Sequence, residues 1–164
     1  MPGDIALDKL HHVLQIAFGW TDSHLHVFDT DYGSFGRRDA DLRHRPENSV
    51  TLEQVARIPG DKITYTYDFG DDWEHVIKIE AVQPREQRTS YPRCTAGRRA
   101  SPPEDCGGVW GYGYLLGVLA DPAHEEHAER QDWMGITDPA QFDPAAFDLA
   151  AINEALPVVG RARR

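Results

Sequence analysis

Between Leu7 and Phe18 the apolar residues Leu7, Leu10, Val13, Leu14, Ala17 and Phe18 recur at the spacing of one helical face. Asp4 precedes this run as a candidate cap, and Gly19 follows it as a stop. His24-Leu25-His26-Val27-Phe28 reads as a short strand, and the Arg- and Asp-rich stretch from Asp29 to Asn48 reads as a polar loop. Thr51 and Gln54 have capping-box spacing ahead of a short helix carrying Leu52, Val55 and Ala56, which Pro59-Gly60 ends. From Ile63 the period changes to two. Ile63, Tyr65, Tyr67 and Phe69 alternate with Thr64, Thr66 and Asp68, and Trp73, His75, Ile77 and Ile79 alternate with Glu74, Val76, Lys78 and Glu80.

These two runs predict a hairpin over about residues 62–80. Bringing both apolar sets to one face, with Gly70-Asp71-Asp72 as the loop, sets Phe69 opposite Trp73, Tyr67 opposite His75 and Asp68 opposite Glu74. From Gln83 to Gly108 the chain is irregular and punctuated by prolines. Helical patterns follow at about 112–120 and 123–133, and then a helix with Asp143 as cap, Pro144 in its first turn, and Phe147, Leu149, Ile152 and Leu156 facing the core. The order of elements predicts an α+β fold. An antiparallel sheet with a central hairpin packs against an N-terminal helix and a C-terminal group of helices.

Composition narrows the function more than the fold. A chain of 164 residues is expected to form one domain over 1–156, followed by a basic tail over 157–164 that is expected to be disordered. A domain near this size buries roughly 70% of its unfolded surface, enough for a core without staples. The formal net charge of −10 opposes a polyanion, and Arg37/Arg38, Arg43/Arg45 and Arg98/Arg99 are scattered, so no direct nucleic-acid binding is expected. No apolar run is long enough to span a membrane, and without a basic n-region followed by an apolar stretch no secretion is expected. Cys94 and Cys106 are the only cysteines; they read as reduced thiols and point to a cytoplasmic location.

Three groups of residues bear on chemistry. His24 and His26 share one side of a strand, a workable spacing for two metal ligands, although a polar sheet face is the plainer reading. The predicted register opposes Asp68 and Glu74, with Asp71 and Asp72 at the same tip; like charges across a ladder call for a cation or for solvent. Pro102-Pro103-Glu104-Asp105-Cys106-Gly107-Gly108 brings two carboxylates and a thiol to a helix start, where acids also simply favour the dipole. His124-Glu125-Glu126-His127 lacks the four-residue spacing of a zinc-protease helix. Neither a phosphate-cradling Gly-rich loop nor a Gly-x-Ser-x-Gly elbow is present.

Ordered motifs along nearly the whole chain resemble the plasmid pRiA4b ORF-3-like family. They are Pro2-Gly3-Asp4 with Leu7, Leu10 and His11; Phe18-Gly19-Trp20; His24 to Phe28; Tyr67-Asp68-Phe69-Gly70-Asp71-Asp72-Trp73-Glu74-His75; Cys94 and Gly97; and Pro102 to Gly108. Asp121-Pro122, His124, His127, Trp133, Gly135, Phe142-Asp143-Pro144, Phe147-Asp148 and Asn153 continue the match. The resemblance implies an α+β fold and a link to mobile elements, as an insertion-element passenger protein with a resolvase-type label. That label meets no support in the residues: Ser23, Ser34, Ser49, Ser90 and Ser101 lack surrounding arginines, and the charge has the wrong sign.

Two departures from the family stand out. Ser101 replaces the cysteine that relatives commonly carry before the Pro-Pro pair, so a three-thiolate metal site is not expected to be essential. Relatives also begin earlier, with a strand that this chain is expected to lack, and a missing strand would expose a sheet edge to another chain.

The sequence therefore favours a binding or interaction module associated with mobile elements. Its partner is expected to be another protein, or a second copy paired through the exposed sheet edge. The alternative is a metal-dependent, hydrolase-like enzyme. Its divalent ion would be held among His24, His26, Asp68, Asp72, His75, Glu104 and Asp105, with a carboxylate as general base.

Overall fold

A computed structural model describes residues 1–39 and 41–160. Its residues fall into two compact units, 1–96 with 148–160, and 97–147. The first unit holds a five-stranded sheet of order β3-β2-β1-β4-β5, formed by β1 (His26–Thr30), β2 (Gly33–Gly36), β3 (Arg45–Pro46), β4 (Lys62–Tyr67) and β5 (Trp73–Lys78). Its pairs are antiparallel except β2 with β3, so the sheet is mixed. The α+β class and the 62–80 hairpin both stand.

Helix α1 (Leu7–Phe18) buries Leu7, Leu10 and Val13, as the periodicity predicts. Gly19 ends it in the left-handed conformation, φ 71°, with its N–H turned back to Ile16. Asp4 does not cap it. The helix starts after Ala6, where the segment at 50–51 supplies partners instead: Leu7 N–H donates to the Val50 carbonyl at 3.0 Å, and Ala6 bridges to Thr51. The helix start is thereby tied to α2 (Leu52–Val55), where Gln54 accepts the Thr51 N–H at 2.9 Å as its capping spacing predicts.

The polar stretch from Asp29 to Asn48 is not wholly loop. It contains β2, β3 and a 3₁₀ turn, Glu47–Ser49. Gly-Ser-Phe-Gly has no alternation to betray a strand; it becomes one because Val27 to Thr30 supply a ladder and Phe35 is buried to 2% exposure. The hairpin faces are as predicted, but the register is shifted by two residues and the loop is two residues longer. Tyr67 faces Trp73, Tyr65 faces His75, and Glu74 faces Thr66, not Asp68. A shift of two preserves every side chain's face, so alternation alone admits both registers. The loop decides between them. Asp68 leaves the strand at φ 58° and its carboxylate accepts the Gly70 N–H at 2.9 Å, an Asx-type turn that puts Phe69 outside the ladder and 43% exposed.

The C-terminal segment of this unit forms α5 (Leu149–Ala155) and α6 (Pro157–Gly160). The cap of α5 is Asp148, whose carboxylate accepts the Ala151 N–H at 2.9 Å; Asp143 instead closes a turn onto Ala145. Leu156 is buried, while Leu149 lies on the exposed side. Asn153 accepts the Cys94 N–H and donates to the Cys94 carbonyl, both at 2.9 Å, so one side chain holds the irregular 81–96 segment against α5. Of the tail expected to be disordered, 157–160 is helical and 161–164 lies outside the described residues.

The second unit is built on α3 (Gly108–Ala120) and α4 (His127–Trp133). Helix α3 begins four residues before the predicted start, at the turn set by Gly107, φ 88°. Leu115, Val118 and Leu119 are its buried side chains. His127 Nδ1 meets the Val118 carbonyl at 2.9 Å, and His124 Nδ1 accepts the Glu126 N–H at 3.1 Å, so this histidine pair shapes the turn between the helices. Both cysteines are free thiols.

Candidate functional site

His11, Gln15, Asp22, His26, Glu47 and Tyr65 of the first unit form one connected network. His11 and Gln15 stand four residues apart on α1 and point at the sheet, where Tyr65 rises from β4 and His26 from β1. The turn after α1 carries Asp22 to them in the left-handed conformation, φ 58°. Glu47 arrives from the 3₁₀ turn. His11 and His26 are 2% and 3% exposed, and their rings stack at 3.6 Å between centroids, 5° from parallel.

Proton positions in this network follow from one backbone group. The Asp22 N–H can only donate, and it points at Gln15 Oε1 at 2.9 Å. That fixes the amide, so Gln15 Nε2 donates to the Tyr65 hydroxyl at 3.1 Å. The hydroxyl in turn donates to His11 Nδ1 at 2.8 Å. The His11 proton then sits on Nε2 and is donated to Asp22 Oδ1, also at 2.8 Å. Each of these four contacts pairs one donor with one acceptor. Burial, and then the neighbouring His26, hold the His11 pKa down at about 4 against the pull of Asp22, so the imidazole is neutral at pH 7. Burial likewise pushes the Tyr65 phenol upward, so it remains a hydrogen-bond donor and not a phenolate nucleophile.

The residues singled out in the sequence fall in different places. His26 Nε2 meets Glu47 Oε2 at 2.7 Å in the stacked pair. His24 lies just before β1 and approaches Asp68, Nε2 to Oδ2, at 3.7 Å; the Ser23 and His24 N–H groups donate to the Tyr67 hydroxyl. Asp72 lies in the hairpin loop at φ 55°, its N–H donated to the Asp68 carbonyl at 2.6 Å. His75 packs against Phe18 at 4.5 Å and Trp20 at 5.6 Å, and burial lowers its pKa. Within this unit the structure thus brings His24 and Asp68 together and separates His26 and His75 from them. Glu104 and Asp105 belong to the second unit, on the turn before α3, with Asp105 at φ 59°.

Sequence reasoning reached His26 but not Gln15, Asp22, Glu47 or Tyr65 as members of a site. One signal was available: two polar residues, His11 and Gln15, four apart beside the apolar stripe of α1.

A different kind of feature marks the second unit. Helix α3, Gly-Val-Trp-Gly-Tyr-Gly-Tyr-Leu-Leu-Gly-Val-Leu-Ala, contains no charged residue, yet its outer side faces solvent. Trp110 is 90% exposed, with Val109 and Tyr114 beside it. Outward methyl positions at Gly113 and Gly117, on the same stripe, would meet nothing within 4 Å.

Fold and site define an α+β protein in which an N-terminal helix closes a buried histidine–carboxylate network over a five-stranded sheet. The chain belongs to the family described as plasmid pRiA4b ORF-3-like protein, which matches residues 1–151. It is 42% identical over 159 residues to the uncharacterized protein y4hQ of Sinorhizobium fredii (strain NBRC 101917 / NGR234), covering 95% of this chain and 80% of that protein. It is also similar to the crystal structure of a protein of unknown function, MM3350, from Methanosarcina mazei Go1. The TM-score is 0.71 at 36% identity, over 91% of this chain and 84% of that one.

Proposed function

We propose that the protein is an interaction module that acts by contact, and that the outer face of α3 is its contact surface. The observation that carries this reading is Trp110, 90% exposed on a helix without a charged residue. A large aromatic held in water forgoes the free energy of burying its ring, and such residues anchor protein interfaces when covered. The occupant we assign to the face is a second copy of the chain. The stripe carries both a protrusion, Trp110, and a recess at Gly113 and Gly117, so it complements itself about a two-fold axis. With no charge on the stripe, the net charge of −10 is carried elsewhere on the surface.

Light scattering on the eluting protein at micromolar concentration tests the reading. The wild-type chain runs as a dimer, and Trp110→Glu runs as a folded monomer with an unchanged far-UV spectrum. A wild type that is monomeric throughout, or a dimer indifferent to Trp110→Glu, overturns it. The link to mobile elements and the cytoplasmic setting belong to the same proposal, and the first rests on the family's name. Among the described residues no helix is long and apolar enough to cross a membrane. The alternative, a metal-dependent hydrolase drawing on the His and carboxylate candidates, has the His24–Asp68 approach within the first unit in its favour.

A further inference from the structure

We infer that His11, His12 and Asp22 form a binding site for a divalent transition-metal ion, with a donor set that shares no residue with His24, His26, Asp68, Asp72 and His75. One donor atom from each of the three lies within 4.8 Å of the other two. Two imidazoles and one carboxylate are a donor set for Zn²⁺, Fe²⁺, Co²⁺ or Mn²⁺, whereas Ca²⁺ and Mg²⁺ prefer oxygen alone. The site is partly open. His11 is buried, but His12 is half-buried and the Asp22 side chain is 29% exposed, so an ion can enter and retain water at its remaining positions.

Two features beyond proximity favour a ligand here. First, the groups that orient a ligating histidine are in place. Tyr65 holds the far nitrogen of His11 and is itself held by Gln15, which also fixes the Asp22 backbone. Second, the proton between His11 Nε2 and Asp22 Oδ1 occupies the point a cation would take, bridging an imidazole nitrogen and a carboxylate oxygen. When a cation takes that point, the imidazole proton moves from Nε2 to Nδ1. The Tyr65 hydroxyl, able to give or accept, then turns to accept it, and its own proton gives up the His11 acceptor. The exchange is a change of tautomer, with the charge on His11 unaltered.

The experiment is calorimetric titration of the tag-free chain with Zn²⁺ at pH 7, paired with ¹⁵N spectra of the histidine rings. One equivalent binds in the wild type. His12→Ala and Asp22→Asn each weaken binding at least tenfold, and His24→Ala leaves it unchanged. His12 has no part in the buried relay, so its variant tests the site without removing a core contact. In the spectra, Zn²⁺ shifts His11 from the Nε2–H to the Nδ1–H tautomer, a change that a purely structural relay would not make. The inference fails if no equivalent binds, if binding survives His12→Ala and Asp22→Asn together, or if His11 keeps its proton on Nε2 with Zn²⁺ bound.

Discussion

Replacing Tyr65 by Phe removes a single oxygen atom, and with it the link between two buried partners. Gln15 Nε2 loses its acceptor and His11 Nδ1 loses its donor, in a region where Tyr65 itself is fully buried. Two stranded polar groups cost about 1–3 kcal/mol of stability, far more than the small change in volume. Urea unfolding of Tyr65→Phe reads this directly; a midpoint within experimental error of wild type would show that the relay is not what holds these side chains. Such residues were partly legible in the sequence. His11 and Gln15 repeat at helical spacing, but Asp22 and Glu47 reach the network through a left-handed turn and a 3₁₀ turn, and no periodicity marks either. Local patterning cannot see a partner that the tertiary fold delivers.

Elements depend on a few positions where backbone meets backbone. At Gly111, in the first turn of α3, an added methyl would lie 1.9 Å from the Cys106 carbonyl oxygen. That contact is with main chain and has no side chain to swing aside, so Gly111→Ala must displace the helix start. It is expected to cost about 1–3 kcal/mol, read as a lower thermal midpoint with loss of helical signal. Helix α3 was legible from its apolar run, but its start was not, because Gly-Val-Trp-Gly is a weak helical pattern until the turn at Gly107 sets its direction. The same competition explains the cap of α5. Asp143-Pro144 carries the stronger sequence signal, yet the Asp143 carboxylate is spent on the Ala145 N–H and the helix waits for Asp148. In the hairpin, alternation fixed the faces and left the register to the Asp68 turn.

For the whole molecule, the buried histidines set the response to acid. His11 has its pKa lowered from 6.5 to about 4 in the fold, so between these values the unfolded chain takes up a proton that the folded chain refuses. Stability therefore rises with pH across that window, is complete above it, and is lost as pH falls from about 6.5 toward 4. On the order of 3 kcal/mol rests on this one group. His75, lowered by burial, acts in the same direction. Urea midpoints measured at intervals from pH 7.5 to about 4 should trace the decline; a flat profile would sink the assignment of a neutral, proton-refusing His11. The four tryptophans divide by unit. Trp20 and Trp73 lie in the sheet unit at 7% and 8% exposure, Trp20 stacked on Tyr67 at 4.8 Å. Trp110 and Trp133 lie on α3 and α4 at 90% and 44% exposure. The chain thus carries its own pair of optical labels. Blue-shifted emission shielded from iodide reports the sheet, and in the monomer red-shifted, quenchable emission reports the helical unit, so a fluorescence melt at a concentration where the chain is monomeric distinguishes which of the two gives way first.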